Sequence, residues 1–269
     1  MTTATANGPV TTTESTVTDD GRTLRFWEAG SGEPIVLLHR GSGPLWSRTH
    51  DLLSQTNRVI MLEMPGFGAS DSIEQGTTAE YAAVVHRAAR KIAGKAYHLV
   101  GNSFGGLIAA WIAVQFPGDI DSVVLLAPSI FVPEGLHIVP TTEVFDVITE
   151  AEKTHPERHY PQPLSDELKV KHLQVLERFL VPEDPSLLSG MASLTVPTLV
   201  AIGTEDRVIP PALGRKYPEL NAAIFLSFVY DAGHALDGDR PESVASLLQT
   251  FTTYKLDFLI ERRRTLLCP

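Results

Sequence analysis

Gly101-Asn102-Ser103-Phe104-Gly105-Gly106 is the stretch on which the reading of this chain turns. It has the form G-x-S-x-G, a pattern that is weak alone and gains weight from its flanks. Ala96-Tyr97-His98-Leu99-Val100 precedes it as a short apolar run that reads as a buried strand. Leu107-Ile108-Ala109-Ala110-Trp111-Ile112-Ala113 follows it and reads as a helix. Ser103 therefore sits on a strand-to-helix turn. A turn this sharp needs small neighbours, which Gly101 and Gly105 supply, and it leaves the N–H groups of the helix start facing any atom that reacts at Ser103. A helix-start serine without chemistry is the alternative reading, and the partners found further along the chain weigh against it.

Working outward, strand and helix alternate. Residues 15–17 and 23–27, joined through Asp19-Asp20-Gly21, read as a hairpin at a sheet edge. Ile35-Val36-Leu37-Leu38 and Arg58-Val59-Ile60-Met61-Leu62 are runs suited to the middle of a parallel sheet. They end in two loops, His39-Arg40-Gly41-Ser42-Gly43-Pro44 and Pro65-Gly66-Phe67-Gly68-Ala69-Ser70-Asp71. Tyr81, Val84, Val85, Ala88 and Ile92 recur at helical spacing. Further strands are read at 122–126, 198–202 and 223–229, with a last helix from about Pro241. This is the pattern of an α/β protein with a mostly parallel sheet, whose ligands bind beyond the carboxyl ends of the strands. Between residues 127 and 195 the alternation stops, and helical fragments and prolines take over, with 166–179 the clearest helix. The expected organisation is a disordered lead-in over 1–13, a core over 14–127 and 196–255, a helical lid over 128–195, and an extension over 256–269.

At 269 residues and 43% hydrophobic the chain can bury one large α/β core. Its net charge of -10 argues against nucleic acid or an anionic membrane surface as the main partner, because both need basic patches. A single cysteine, Cys268, precludes an intrachain disulfide. The first thirteen residues have neither the basic region nor the apolar core of a signal peptide, and no run is long enough to span a membrane. A soluble cytoplasmic protein is the expectation.

Four blocks now resemble the α/β-hydrolase superfamily: the His39 loop, the Pro65–Asp71 loop, the Ser103 turn, and the late pair Gly203-Thr204-Glu205-Asp206 and Asp231-Ala232-Gly233-His234. The chemistry requires these residue types for its own reasons. A serine hydroxyl needs a base within hydrogen-bond reach, and an imidazole base needs a carboxylate on its other nitrogen. His234, alone of the nine histidines, stands at a strand end after two small residues. Asp206 is the expected acid, and Glu205 the alternative. The resemblance implies catalytic Ser103, Asp206 and His234, with the backbone N–H of Phe104 and that of Ser42 or Gly41 forming an oxyanion hole. In the resembling proteins a glycine usually follows the loop histidine, where this chain has Arg40. That guanidinium has two readings, a partner for a substrate carboxylate or for a surface acid.

The Asn-Ser-Phe-Gly-Gly block and the His39 loop are similar to the branch that hydrolyses carbon–carbon bonds in ring-cleavage products. Two features of that branch are missing: its lid arginine appears here as Lys171-His172, and Ala235 stands where tryptophan follows the histidine. An ester or lactone hydrolase acting on a small hydrophobic carbonyl substrate is therefore the first expectation, and carbon–carbon hydrolysis the second. A lyase, cofactor-free oxygenase or ligand receptor on the same fold stays open. Arg40, Asn102, Phe131 and His172 are the candidate substrate-binding residues, with apolar lid positions including Leu136, Ile138 and Phe145 suggesting a hydrophobic pocket. No cofactor is expected. His155 and His159 have an H-x-x-x-H spacing, but Pro156 opposes the helix that would align them on a metal. The segment 254–269 mixes apolar residues with Arg262-Arg263-Arg264, a composition that suits either a homodimer contact or a solvated tail.

Overall fold

The computed structural model describes residues 10–133, 142–151, 153–160 and 164–257. Most of the expected lead-in, the lid residues Leu136 and Ile138, and the terminal segment with its three arginines and Cys268 lie outside these. Of the lead-in, Val10 donates its N–H to Asp51 Oδ1, and Thr13 opens the first strand.

In chain order the elements are β1 (Thr13–Asp19), β2 (Arg22–Ala29), β3 (Pro34–Leu38), α1 (Arg48–Leu53), β4 (Arg58–Leu62), α2 (Thr78–Ala93), β5 (Tyr97–Asn102), α3 (Phe104–Gln115) and β6 (Ile120–Leu126). Three helices then follow without a described strand: α4 (Thr142–Ala151), α5 (Asp166–Phe179) and α6 (Pro185–Ala192). The sheet resumes with β7 (Thr198–Gly203), α7 (Lys216–Leu220), β8 (Ile224–Val229), α8 (Leu236–Asp239) and α9 (Pro241–Tyr254).

The strand order is β1-β2-β4-β3-β5-β6-β7-β8. The first hairpin is antiparallel and turns through Asp20 and Gly21, both at positive φ (47° and 74°), the backbone that a two-residue hairpin turn demands. β2 joins β4 antiparallel, and every later pairing is parallel. β3 pairs with β4 on one side and β5 on the other, so the chain leaves β3 in one direction and β5 in the opposite one. Their following loops diverge there and open a crevice at the carboxyl edge. The loop at His39 and the Ser103 turn flank that crevice.

Alternation along the strands builds a core on each face. Val36 and Leu38 point to the side of α2, α3 and α6, with Tyr81, Val85, Leu107 and Met191. Ile35 and Leu37 point to the side of α1 and α9, with Leu53, Val244, Leu248 and Phe251. α2 shows how its ends are specified. Thr77 Oγ1 accepts the Glu80 N–H and Glu80 Oε2 accepts the Thr77 N–H, while Gly94 stops the helix in the left-handed region. α3 instead is buried on every side from Phe104 to Ala113, as its unbroken apolar sequence requires.

α5 occupies the stretch read as the clearest helix of the insertion. Its buried side chains pack on the core loops: Leu176 lies so close over Gly41 that a Cβ there would meet Leu176 Cδ1 at 2.8 Å, and a Cβ on Gly66 would meet Val175 Cγ2 at 2.6 Å. Burying Leu176 and Phe179 contributes about 1.5–3 kcal/mol each. No helix among the described residues is long and apolar enough to cross a membrane.

Candidate active site

Ser103 bridges β5 and α3 at φ 55° and ψ -114°. Such a backbone costs a non-glycine residue on the order of 1–3 kcal/mol and persists only where its surroundings hold it. Here the Ser103 N–H donates to Leu126 O (2.9 Å), and Ser103 O accepts the N–H groups of Gly106 (2.9 Å) and Ser129 (3.1 Å). Both flanking glycines are required by space: a Cβ on Gly101 would run into Gly105 O, and one on Gly105 into Leu38 O. As the first residue of α3, Phe104 has an N–H with no acceptor in its own helix, so it is available at the mouth of the turn. Ser103 Oγ lies 3.0 Å from Ser129 Oγ, a partner that no sequence motif marks.

Asp206 and His234 come together from the loops after β7 and β8. His234 Nδ1 is 2.9 Å from Asp206 Oδ2. Asp206 Oδ1 accepts the N–H groups of Val208 and Ile209, each at 2.8 Å. A carboxylate so placed accepts, so His234 carries its hydrogen on Nδ1 and presents a lone pair on Nε2. That Nε2 is buried without a hydrogen-bond partner among the described residues. Glu205, the alternative acid, is exposed.

The loop after β3 is braced by His39. Its Nδ1–H donates to Arg40 O (2.8 Å) and its Nε2 accepts the Met64 N–H (3.0 Å), joining the loops after β3 and β4. Burial lowers the His39 pKa to about 4, so the ring is a neutral strut. Arg40 turns inward, and the acid it meets is a buried one: Nη1 lies 3.1 Å from Asp237 Oδ1. Its Nε donates to Ser42 Oγ at 3.0 Å. Asn102 Nδ2 also donates to Asp237 Oδ1 (3.2 Å), and Asn102 Oδ1 is buried without a hydrogen-bond partner among the described residues. Burial would raise the Asp237 carboxyl, but the Arg40 charge and His50 outweigh it and hold the group below the usual carboxylate range.

The other candidates sit in packing environments. His172 is buried on α5, its Nε2 accepting the Gly68 N–H at 3.3 Å and its ring 4.6 Å from that of Phe67. Burial, with His39 nearby, lowers its pKa to about 3, so it brings no positive charge to a substrate. Lys171 Nζ donates to Gly68 O (2.8 Å), tying α5 to the same loop. Phe131 packs edge-on against Tyr217, with Lys216 Nζ 4.7 Å from its ring centre. The imidazoles of His155 and His159 meet different carboxylates. His155 Nε2 meets Asp231 Oδ2 (2.9 Å), while His159 Nε2 meets Asp239 Oδ1 (2.8 Å). Asp239 also accepts the N–H of Gly233 at 2.7 Å, next to His234, and that of His155 at 2.9 Å. One buried carboxylate thus anchors the His234 loop to the segment after α4. Among the described residues no group of three or more metal-ligating side chains is assembled.

The sequence profile of the alpha/beta hydrolase family matches residues 35–247. The chain belongs to that family. It is 32% identical over 232 residues to a 2-hydroxy-6-oxononadienedioate/2-hydroxy-6-oxononatrienedioate hydrolase of Burkholderia vietnamiensis, covering 74% of this chain and 80% of that one. It is 28% identical over 251 residues to the dihydrolipoyllysine-residue acetyltransferase component of the acetoin cleaving system of Cupriavidus necator. That match covers 86% of this chain but only 66% of the relative's length. Among solved structures, a meta-cleavage product hydrolase from Pseudomonas fluorescens superposes with a TM-score of 0.69 at 22% identity, covering 92% of this chain and 98% of that one. Naproxen esterase from Bacillus subtilis gives 0.70 at 19%, covering 90% and 92%. At these identities the superpositions establish the shared fold. The family match and the relatives named as hydrolases make the protein a hydrolase of this family.

Proposed function

We propose that the protein is a serine hydrolase of small, hydrophobic carboxylic esters or lactones, with Ser103 as nucleophile, His234 as base and Asp206 as its orienting acid. The observation that carries this reading is the His234–Asp206 hydrogen bond, which engages Nδ1 of a buried imidazole and leaves Nε2 without a hydrogen-bond partner among the described residues. In this mechanism Ser103 Oγ attacks the substrate carbonyl carbon while His234 Nε2 takes the hydroxyl proton. The imidazolium that forms is stabilised by Asp206. The carbonyl oxygen becomes an oxyanion that the N–H of Phe104 and one from the Gly41–Ser42 segment stabilise. Collapse expels the alcohol, protonated by His234, and water then releases the acid from Ser103 by the same steps. Helices α4 to α6 act as the lid that shapes the acyl pocket, and no cofactor is used. The likeness to the Burkholderia vietnamiensis enzyme favours a second reading, hydrolysis of a carbon–carbon bond in a vinylogous diketo acid. The neutral His172 and the engaged Lys171 favour the ester, because neither offers the cation that such an acid calls for.

The test is to treat the wild type and Ser103→Ala with a fluorophosphonate and to assay both against nitrophenyl esters of increasing acyl length. Labelling and turnover by wild type alone is the expected result. Labelling with negligible ester turnover would favour the carbon–carbon reading, and absence of labelling would defeat both.

A further inference from the structure

We propose that Asp237 is a built-in carboxylate that restricts this site to uncharged acyl groups, by occupying the Arg40 and Asn102 donors that a substrate carboxylate would otherwise take. The inference rests on the hydrolase reading above and names its substrate class. Arg40 and Asp237 are 3% and 4% exposed, so their ion pair stands almost wholly out of water. A guanidinium in such a place must have an anion beside it, since an unpaired buried charge is strongly disfavoured. The anion here comes from the chain itself. Asp237 Oδ1 receives Arg40 Nη1 and Asn102 Nδ2, His50 Nε2 stands 3.9 Å from Oδ2, and Thr49 Oγ1 donates to the Asp237 carbonyl at 2.6 Å. His50 takes the Ser47 N–H on Nδ1, which puts its own hydrogen on the Nε2 facing the carboxylate.

The position of this cluster makes it a matter of specificity. Asn102 immediately precedes Ser103, Arg40 belongs to the oxyanion loop, and Asp237 follows His234 by three residues. Arg40, Asn102 and Asp237 line one small cavity with His39, Met61 and Val100 at the carboxyl ends of β3, β4 and β5. Asn102 Oδ1, an acceptor, is buried without a hydrogen-bond partner among the described residues. A carboxylate entering from the substrate would thus meet a carboxylate and an amide oxygen at low dielectric. An uncharged acyl group meets no such opposition.

The proposal is tested with two nitrophenyl esters that share a leaving group, the butyrate and the hemiglutarate. Wild type is expected to favour the butyrate by about thirtyfold or more in kcat/KM, and a preference for the hemiglutarate would overturn the proposal whatever the variants do. Asp237→Asn is expected to shrink that ratio at least tenfold through improved use of the hemiglutarate. An equal loss on both esters would instead assign Asp237 a purely structural role and overturn it. A third measurement does not depend on turnover. In Asp237→Ala, acetate at increasing concentration is expected to raise Tm by several degrees, while wild type is unmoved, because the vacated donors bind the external carboxylate. An unchanged Tm in both would overturn the proposal. If wild type hydrolyses neither ester and takes no fluorophosphonate label, the hydrolase reading fails, and the acetate response still decides whether Arg40 and Asn102 form a carboxylate site.

Discussion

Ser103 Oγ is 3.0 Å from Ser129 Oγ, while His234 Nε2 has no hydrogen-bond partner among the described residues. The hydroxyl that the proposed mechanism needs on the imidazole is therefore bonded to a neighbouring serine. Ser129 is itself held by its N–H to Ser103 O, so the two serines are fastened at backbone and side chain together. Removing the Ser129 hydroxyl frees Ser103 Oγ to turn to His234. A hydrogen bond of this kind is worth about 0.5–1.5 kcal/mol, which corresponds to about a two- to tenfold change in rate. Ser129→Ala is expected to react with a fluorophosphonate faster than wild type by that factor. A slower or equal rate in stopped-time labelling would show that Ser129 does not compete for the nucleophile.

Asp206→Asn makes the converse test at the other end of the proposed triad. An asparagine whose amide nitrogen faces His234 donates to Nδ1, which would leave the hydrogen on Nε2 and remove the base. The backbone donors Val208 and Ile209 favour an oxygen facing them, so the amide nitrogen is directed at His234. The expected outcome is a fall in kcat of about 10⁴ with little change in KM. Steady-state kinetics on a nitrophenyl ester measure it.

How much of this was legible from the chain follows from the range over which each contact acts. The strands at Ile35–Leu38 and Arg58–Leu62, the Asp20-Gly21 turn and the bounds of α5 are written in local runs, turn residues and periodicity, and they emerge where the sequence puts them. His234 and Asp206 could be paired because motif order stands in for distance. Ser129, Asp237 and Glu63 could not, because their partners lie 26, 197 and 38 residues away, and spacing says nothing of such pairings. Arg40 did leave a signal. An arginine in a loop bound for burial requires a counter-charge, although nothing in the spacing says which acid supplies it.

Acid should weaken the fold through the buried histidines. His39 titrates at about 4 and His172 at about 3, both below the ordinary histidine value, so between that value and pH 4 the unfolded chain binds protons that the native state refuses. Stability then rises with pH across this window and is lost as pH falls from about 6.5 toward 4. His39 alone contributes about 3 kcal/mol of that loss. The outcome is read from urea unfolding at pH 7.5 and pH 4.5, and His39→Gln should flatten the dependence. A pH-independent midpoint would show that these rings are not kept neutral.

Glu63 is buried in the loop between β4 and α2 and belongs to none of the motifs read from the chain. The structure gives it a mechanical role. Its side chain is 1% exposed, and Oε1 meets Arg25 Nη2 at 2.7 Å. Oε2 accepts the N–H groups of Ala69 (3.0 Å) and Ser70 (2.9 Å), and Ser70 Oγ stands 3.0 Å away. This carboxylate pins the loop on which Gly68 supports His172, and through it α5. Glu63→Gln would turn an amide N–H₂ toward either the Arg25 guanidinium or the N–H groups of Ala69 and Ser70, all of which only donate, and would leave Arg25 without its charge partner. Because Arg25 is partly solvated, the cost is set by the lost charge-assisted hydrogen bonds, about 2–3 kcal/mol. The variant should unfold at lower urea with an unchanged m-value, while Ser103 in the folded fraction still takes the fluorophosphonate. Loss of labelling without loss of stability would instead place Glu63 in the chemistry.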